Sequence, residues 1–304
     1  MAGRVAGGNF TPAAGTDLSH GTFVGGIISA VTNNNKGVSG VSQSTLYLLN
    51  RGDLVSSLNY AANNGIKIVN ASFFYGEKRG GTTIYYSAIP EHAQAIRNYG
   101  RAGGLLVCAS GNDNTNIDQT PMYPAAYGDS RLFPDINNVI SVGSITSSGS
   151  RSNFSNYGEN SVHIYAPGSS IISTYPASMC DNGTHANDAS SRHIARGYHE
   201  SQGTSYSAPY VTGTAALLLS YDQSLTGAEI KNILLNSATN ITIQGQNAKL
   251  LNAGNAMTSI FNPNRLMLQN VGYFSAGGGC NFGGSGWQIK VTNHRSSSIR
   301  LIYN

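Results

Sequence analysis

Three short segments carry the side chains that acyl transfer requires. His20 stands in His20-Gly21-Thr22, Asn112 follows Gly111 at the end of an apolar run, and Ser205 stands in Gly203-Thr204-Ser205 where a helical pattern begins. Acyl transfer needs a hydroxyl nucleophile, a base within hydrogen-bond reach and donors for the developing oxyanion. A Ser at a helix entry lies beside free N–H groups, and an Asn amide can complete the oxyanion hole. These residues predict a serine-hydrolase site with Ser205 as nucleophile, His20 as base and Asn112 as oxyanion donor.

Each of the three residues also has a simpler interpretation when it is taken alone. A single His at a helix start is commonly structural, an Asn after Gly is commonly a turn residue, and a Ser at a helix start is commonly an N-cap. The functional hypothesis therefore depends on the three segments occurring together.

The elements that must position these residues alternate along the chain. Helical patterns are predicted at residues 23–31, 54–63, 91–99, 206–220 and 227–237, and strands at 45–49, 66–72, 105–109, 139–142 and 162–165. Nearly continuous apolar strands such as 105–109 are typical of a parallel sheet covered on both faces. We expect residues 1–258 to form one α/β domain. Residues 259–304, with β-like segments at 287–291 and 299–303, are expected to form a short β-rich extension.

Composition excludes several classes of protein. The net charge is +4 and only 11% of the residues are charged, too few for a surface that follows nucleic-acid phosphates. No apolar run approaches the roughly 18 residues of a membrane span. The three cysteines, Cys108, Cys180 and Cys280, are too scattered for a disulfide framework or a CxxC metal site. The polarity comes mainly from small uncharged residues, which favours an extracytoplasmic protein, although residues 1–8 lack the apolar core of an export signal.

The three segments, in this order, resemble the subtilisin-like serine proteases, or subtilases. Further stretches of the chain are similar to the same family, at residues 37–41, 68–72, 123–125, 138–143, 154–158 and 166–168. The likeness runs from about Gly3 to Met257. It implies a three-layer α/β sandwich with a mostly parallel sheet, and a serine endopeptidase that acts through an acyl-enzyme.

The resemblance also implies how a substrate would bind. The substrate strand would pair with the segment at residues 70–76, which includes Ser72 and Phe73, and the walls of the specificity pocket would include Ala109, Ser110 and Gly111. We expect protein or peptide substrates, a monomer, no required cofactor and a secreted or cell-surface location. This chain reads Ser72-Phe73-Phe74-Tyr75-Gly76, which is longer and more aromatic than the family's usual segment, so the peptide preference is not carried over.

Two segments raise the question of metal binding. An apparent insertion at residues 177–202 holds Cys180, His185, His193 and His199, but the His spacings of about eight and six do not fit one helical face, so we interpret the insertion as a solvated loop. Many subtilases bind calcium, and residues 32–38 resemble a calcium loop in their Asn run. Lys36 stands among the would-be ligands there, so calcium is left open.

The acid of the expected Asp-His-Ser triad has no clear candidate in the sequence. In the family the Asp precedes the His by roughly 30 residues, whereas His20 is preceded by one acidic residue, Asp17. Asp17 lies in the loop that leads into the His segment, and we do not assign it as the triad acid. We expect the Asp-bearing central strand and the export signal to be missing from this chain, and the chain alone to be nearly inactive.

Two other functions remain possible at this point. A binding or adhesin domain that reuses the scaffold would be expected to have lost Ser205, His20 or Asn112, and all three are retained. An esterase would need Gly-x-Ser-x-Gly, and this chain has Ser207 where the final Gly should stand.

Overall fold

The computed structural model describes residues 3–11, 18–177, 191–195, 197–261, 288–292 and 298–302. Chain contacts divide the protein into two compact units, Met1–Ser259 and Ile260–Asn304. The predicted site residues all belong to the first unit.

Six α-helices are described in the first unit, the last of them ending one residue beyond it. They are α1 (Ser19–Ser29), α2 (Leu54–Asn63), α3 (Pro90–Arg101), α4 (Thr204–Tyr221), α5 (Gly227–Ser237) and α6 (Ala253–Ile260). Local chemistry fixes several of their starts. The Asp53 carboxylate accepts the backbone N–H of Ser56 at 2.9 Å to cap α2, and Thr226 and Glu229 form a reciprocal capping box on α5. The predicted bounds of α2 and α5 are confirmed.

Thirteen strands of the first unit are described. They are β1 (Val5–Gly8), β2 (Leu46–Leu48), β3 (Ile68–Ala71), β4 (Gly76–Arg79), β5 (Thr82–Tyr85), β6 (Leu105–Ala109), β7 (Val139–Ile145), β8 (Ile164–Pro167), β9 (Ile171–Thr174), β10 (Ser191–Ala195), β11 (Tyr198–Ser201), β12 (Thr239–Ile243) and β13 (Gln246–Leu250). Six of them form the central sheet in the order β12-β13-β8-β7-β6-β3. Its pairs are parallel except for the β12–β13 hairpin. The predicted α/β fold with a mostly parallel sheet is confirmed.

Helices cover both faces of this sheet. On β6, Leu106 and Cys108 belong to the core cluster that contains Leu58 of α2 and Ile96 of α3. Because side chains alternate along a strand, Val107 points to the opposite face, where α4 packs across β6 and its neighbours. Every residue of β6 is buried, as the apolar run at 105–109 predicts.

The interpretation of residues 177–202 as a solvated loop is wrong for its second half. β10 and β11 pair antiparallel, and β11 also pairs antiparallel with β9, so that His199 lies opposite Ser173. Strands pair through backbone hydrogen bonds. The polar sequence of β11 can therefore pair with the edge of β9 as well as an apolar sequence could. His199 is buried rather than solvated.

β1 and β2 form a separate parallel pair rather than joining the central sheet. A cavity of about 790 Å³ lies between β2 and β3, and residues of α1 and α4 also line it. We call this cavity the strand slot. Within the described residues, β2 pairs only with β1, and β3 pairs only with β6, so each presents its other edge to the strand slot.

The second unit contains one described antiparallel hairpin, formed by β14 (Gln288–Thr292) and β15 (Ser298–Ile302). Across the part of the chain that is described, no helix combines the length and the apolar character needed to cross a bilayer.

Candidate active site

Ser205 lies in the first turn of α4, at the carboxyl-end edge of the sheet. Its hydroxyl donates to the carbonyl oxygen of Ser72 at 3.3 Å, and the Ser72 hydroxyl donates to the carbonyl oxygen of Ser205 at 2.8 Å. Ser72 directly follows β3, so this reciprocal pair fixes the helix entry against a strand end. The positive dipole end of α4 lies beside the Ser205 side chain.

The Asn112 amide is oriented by Thr204, the residue before Ser205. Oδ1 of Asn112 accepts the backbone N–H of Thr204 at 2.8 Å and the Thr204 hydroxyl at 2.9 Å. The same hydroxyl accepts the backbone N–H of Gly111 at 3.1 Å. Since Oδ1 takes both bonds, the NH₂ group of the exposed Asn112 side chain is the end left to face a ligand.

Two hydrogen-bond donors flank one small space at this helix entry. A Cβ on Gly203 would lie 3.4 Å from Nδ2 of Asn112 and 3.8 Å from the backbone N of Ser205. Gly203 also has φ = 152°, which side chains rarely adopt. The glycine leaves room at a point that lies near Nδ2 of Asn112 and the Ser205 nitrogen, as an oxyanion hole would require, and 3.8 Å from Oδ1 of Asn112.

His20 is the second residue of α1 and is exposed. Its ring centroid lies 5.8 Å from that of Tyr206, the residue after Ser205. Tyr206 in turn packs on Phe23 of α1, with ring centroids 4.3 Å apart. Burial raises the pKa of the Tyr206 phenol. The packing of α1 on α4 therefore places the His20 ring beside the helical turn that carries Ser205.

The predicted substrate-binding residues follow two neighbouring strands. Ser72 and the half-buried Phe73 come directly after β3, and Ala109, Ser110 and Gly111 end β6 or follow it. Because β3 and β6 are paired and parallel, with Ala71 opposite Cys108, the two segments leave the same edge of the sheet.

A polar chain of three side chains links this edge of the sheet to the strand slot. The Thr212 hydroxyl donates to Oδ1 of Asn70 at 2.9 Å, and Nδ2 of Asn70 donates to the Ser72 hydroxyl at 2.8 Å. The sequence assigns no role to Thr212, or to Thr204 inside the Gly-Thr-Ser segment. The roles of both residues depend on contacts between distant parts of the chain, so their spacing alone does not reveal them.

Other candidate residues are not brought to this site or lie outside the described residues. The His199 ring stacks on Tyr175, with ring centroids 4.6 Å apart. Asp17, Cys180 and His185, and the side chain of His193, belong to the parts that are not described. No group of three or more His, Cys, Asp or Glu side chains suited to a metal ion occurs among the residues that are described.

Loop 32–38 offers amide and backbone oxygens to a calcium ion but no carboxylate of its own. Ca²⁺ takes six to eight oxygen ligands, usually including carboxylates, and this loop contains no Asp or Glu. Oδ1 of Asn34 already accepts the backbone N–H of Lys36 at 3.1 Å. We derive no role for calcium from this loop.

Two curated proteases are similar to this chain in sequence. Subtilisin DY of Bacillus licheniformis is 31% identical over 233 residues, which are 73% of this chain and 71% of the relative. Thermitase of Thermoactinomyces vulgaris is 31% identical over 261 residues, 81% of this chain and 77% of the relative.

The fold is similar to that of solved proteases as well. A cold adapted subtilisin-like serine proteinase matches with a TM-score of 0.59 and 26% identity, covering 83% of this chain and 82% of that structure. The profile of the subtilase family of peptidases matches residues 8–255, which include His20, Asn112 and Ser205. The chain therefore belongs to the subtilase family.

Proposed function

We propose that the protein is a serine endopeptidase that hydrolyses peptide bonds through an acyl-enzyme. The observation that carries this proposal is the space beside Gly203, which Nδ2 of Asn112 and the backbone N–H of Ser205 border together. Subtilases are serine endopeptidases, so membership of the family supports the same reaction.

Each of the three side chains has a role in this reaction. The Ser205 hydroxyl attacks the scissile carbonyl carbon while His20 takes its proton. The negative charge that develops on the carbonyl oxygen is held by Nδ2 of Asn112 and the Ser205 N–H. His20 then gives the proton to the leaving amine, and water hydrolyses the acyl-enzyme with His20 again acting as base.

The substrates are proteins or peptides bound in an extended conformation. The segment at residues 70–76, with Ser72 and Phe73, pairs with the substrate strand, and Ala109, Ser110 and Gly111 form a wall of the specificity pocket. This assignment is supported by the parallel exit of both segments beside Ser205. The enzyme acts as a monomer without a required cofactor, in a secreted or cell-surface location. Its catalytic domain is residues 1–258, and 259–304 is an appended β-rich extension.

We infer that the strand slot is the place of an extended strand that carries the triad acid. The slot is bordered by strand edges on two sides, and apolar residues of the surrounding elements, such as Ile28 and Ala216, line it. The connection β2-α2-β3 is a βαβ unit, whose two strands run parallel. The described pairs of the central sheet are parallel except for one edge hairpin, so we expect a strand between β2 and β3 to run parallel to both.

The direction of this strand places its carboxyl end near His20. At one end the slot is lined by Gly65 and Ile66, which precede β3, together with Gln223 beyond the end of α4. At the other end it is lined by Asn70, near the end of β3, and by Gly21, next to His20. A carboxylate at the carboxyl end of a parallel strand would therefore reach the His20 imidazole and hold its tautomer.

The size of the strand slot supports the same proposal. A strand in this space would bury its own apolar side chains against the apolar residues that line the slot. Filling the slot is therefore expected to stabilise the fold as well as to complete the triad.

The alternative is a scaffold protein without catalysis, such as a binding or adhesin domain. Selection for binding alone would not require Thr204 to orient the Asn112 amide beside an open space, or Gly203 to keep that space open. We therefore favour the enzyme.

The proposal is tested with a strand-complemented chain. This is the present chain preceded by an apolar strand of about five residues that ends in Asp, followed by Thr and Gly. A linker of about ten residues joins this strand to the start of the present chain. It is long enough to return roughly 17 Å along the slot and to cross two strands that lie about 4.8 Å apart. The matched control ends its strand in Asn, which has the same shape without the charge.

We compare casein hydrolysis by three proteins: the chain alone, the Asp form and the Asn form. We expect the Asp form to exceed the other two by about 10⁴ in kcat, since subtilisin itself loses about 3 × 10⁴ when its Asp is removed. The Asn form should unfold at the same denaturant concentration as the Asp form. Full activity of the chain alone would overturn the proposal for the slot, and the first residue to replace would then be Asp17. No activity in any form would favour the scaffold protein.

A further inference from the structure

The β4–β5 hairpin contacts the loop that carries Asn112. It inserts after the Ser72–Phe73 segment, and its second strand, β5, reaches Asp113, the residue after Asn112. The Thr83 hydroxyl donates to Oδ1 of Asp113 at 2.7 Å, and the Tyr85 phenol donates to Oδ2 at 2.6 Å. Both carboxylate oxygens are therefore engaged by one strand of the hairpin.

Asn156 closes this network on the other side of the loop. Oδ1 of this fully buried residue accepts the backbone N–H of Asp113 at 2.9 Å. Its Nδ2 donates to the Tyr85 phenol oxygen at 3.0 Å and to the carbonyl oxygen of Ser110 at 2.9 Å. Its backbone N–H donates to the carbonyl oxygen of Gly111 at 2.9 Å. The backbone on both sides of Asn112 is thus held by groups that do not touch Asn112 itself.

We propose that the hairpin positions the oxyanion donor, with Tyr85 and Asp113 acting as positioning residues for Asn112. The inference rests on the proposed function, because it assigns the purpose of the network to the oxyanion hole. Thr204 orients the Asn112 amide, while the network fixes the backbone from which that amide projects. Catalysis is sensitive to such placement, since a misplacement of about 1 Å can reduce the rate about 100-fold.

Tyr85→Phe is the variant that tests this proposal. It removes the donor to Asp113 and the acceptor of Asn156 but keeps the ring, which packs edge-on against Phe74 with centroids 5.7 Å apart. The matched control is Tyr86→Phe, because Tyr86 is the neighbouring residue and its side chain is exposed. Both are made in the strand-complemented chain, and kcat and KM are measured on a peptide substrate alongside the unfolding midpoint.

We expect Tyr85→Phe to lower kcat about tenfold, with KM changed less than twofold, while Tyr86→Phe leaves both unchanged. Thr83→Val, which removes the other donor to Asp113, should lower kcat in the same way. A loss in KM alone, or a fall in kcat that only accompanies unfolding, would overturn the positioning role.

A double-mutant cycle with Asn112→Ala separates this inference from the proposed function. If Tyr85 acts through Asn112, Tyr85→Phe has almost no further effect on kcat once the amide is absent. A full tenfold loss in the Asn112→Ala background would overturn the positioning role while leaving the proposed function intact. No effect of Asn112→Ala by itself would instead contradict the oxyanion assignment, and with it both proposals.

Discussion

Thr204 and Asn112, 92 residues apart in the chain, share two hydrogen bonds that end on one atom. The backbone N–H and the hydroxyl of Thr204 both donate to Oδ1 of Asn112, at 2.8 and 2.9 Å. An amide held in this way by its oxygen must present its NH₂ group elsewhere. In this protein the NH₂ group borders the space beside Ser205. The hydrogen bonds that Thr204 makes at the start of α4 therefore also orient the amide that would bind the oxyanion.

Thr204→Val tests this orientation directly. The substitution keeps the shape of a fully buried side chain but removes one donor to Asn112 and leaves the Gly111 N–H without its acceptor. We expect kcat to fall roughly tenfold and the free energy of unfolding to fall by about 1–3 kcal/mol, the usual effect of one unsatisfied buried group. Thr204→Ser, which keeps the hydroxyl, should retain most of both quantities.

Gly203→Ala is predicted to abolish most turnover. The added methyl would occupy the space between Nδ2 of Asn112 and the Ser205 N–H, and it would also strain the backbone at φ = 152°. Gly149→Ala is the control, since Gly149 also has a positive φ of 79° but has open space where a Cβ would lie. Equal losses of kcat in the two variants would mean that backbone strain, and not the blocked space, causes the effect.

Asn112→Ala is expected to lower kcat by about 10²–10³, the magnitude known from subtilisin itself when an oxyanion donor is removed. KM should change little, because the amide contacts the oxyanion and not the ground-state carbonyl. Steady-state kinetics on a peptide substrate measures both constants. A loss shared equally between kcat and KM would argue that Asn112 only shapes the end of β6.

The elements with strong local patterns could be predicted from the sequence. The apolar residues of α2 and the continuous apolar run of β6 mark the residues that each element buries. The helix at 54–63 and the strand at 105–109 therefore appear at the expected bounds. Family membership and the α/β fold followed from motif order in the same way.

The remaining features depend on partners that are distant in sequence. No strands are predicted from the sequence at β4 and β5. Their sequence includes Glu77, Lys78 and Arg79, and they are held by Asp113 and by each other. β10 and β11 exist because β9 offers an edge. The bond between Asn112 and Thr204 requires α4 to begin at the end of β6, which only the assembled sheet determines.

His163 should make the stability of the protein depend on pH. Burial, together with the nearby Lys231, lowers the pKa of His163 to about 3, while Nδ1 accepts the Ser141 N–H at 2.9 Å and Nε2 lies 2.9 Å from the carbonyl oxygen of Gly128. The folded state keeps this ring neutral, whereas the unfolded chain binds a proton below about pH 6.5.

Stability is therefore lost as the pH falls from about 6.5 toward 3, by up to ~1.4 kcal/mol for each pH unit. Burial lowers the pKa of His92 as well, so the comparison is made in a His92→Gln background. Urea unfolding at pH 7 and pH 5 should show a larger decrease with His163 present than after His163→Gln. The same decrease in both proteins would assign the pH dependence to other groups.

A serine-directed fluorophosphonate shows whether Ser205 is the nucleophile of an acyl-transfer site. The strand-complemented chain is treated with the reagent, digested, and the modified residue located by mass spectrometry. We predict a single adduct on Ser205, which disappears in Ser205→Ala and is strongly slowed in His20→Ala, while Ser207→Ala is labelled normally. Labelling that persists in Ser205→Ala would show that Ser205 is not the nucleophile, and labelling that is unchanged in His20→Ala would show that His20 is not its base.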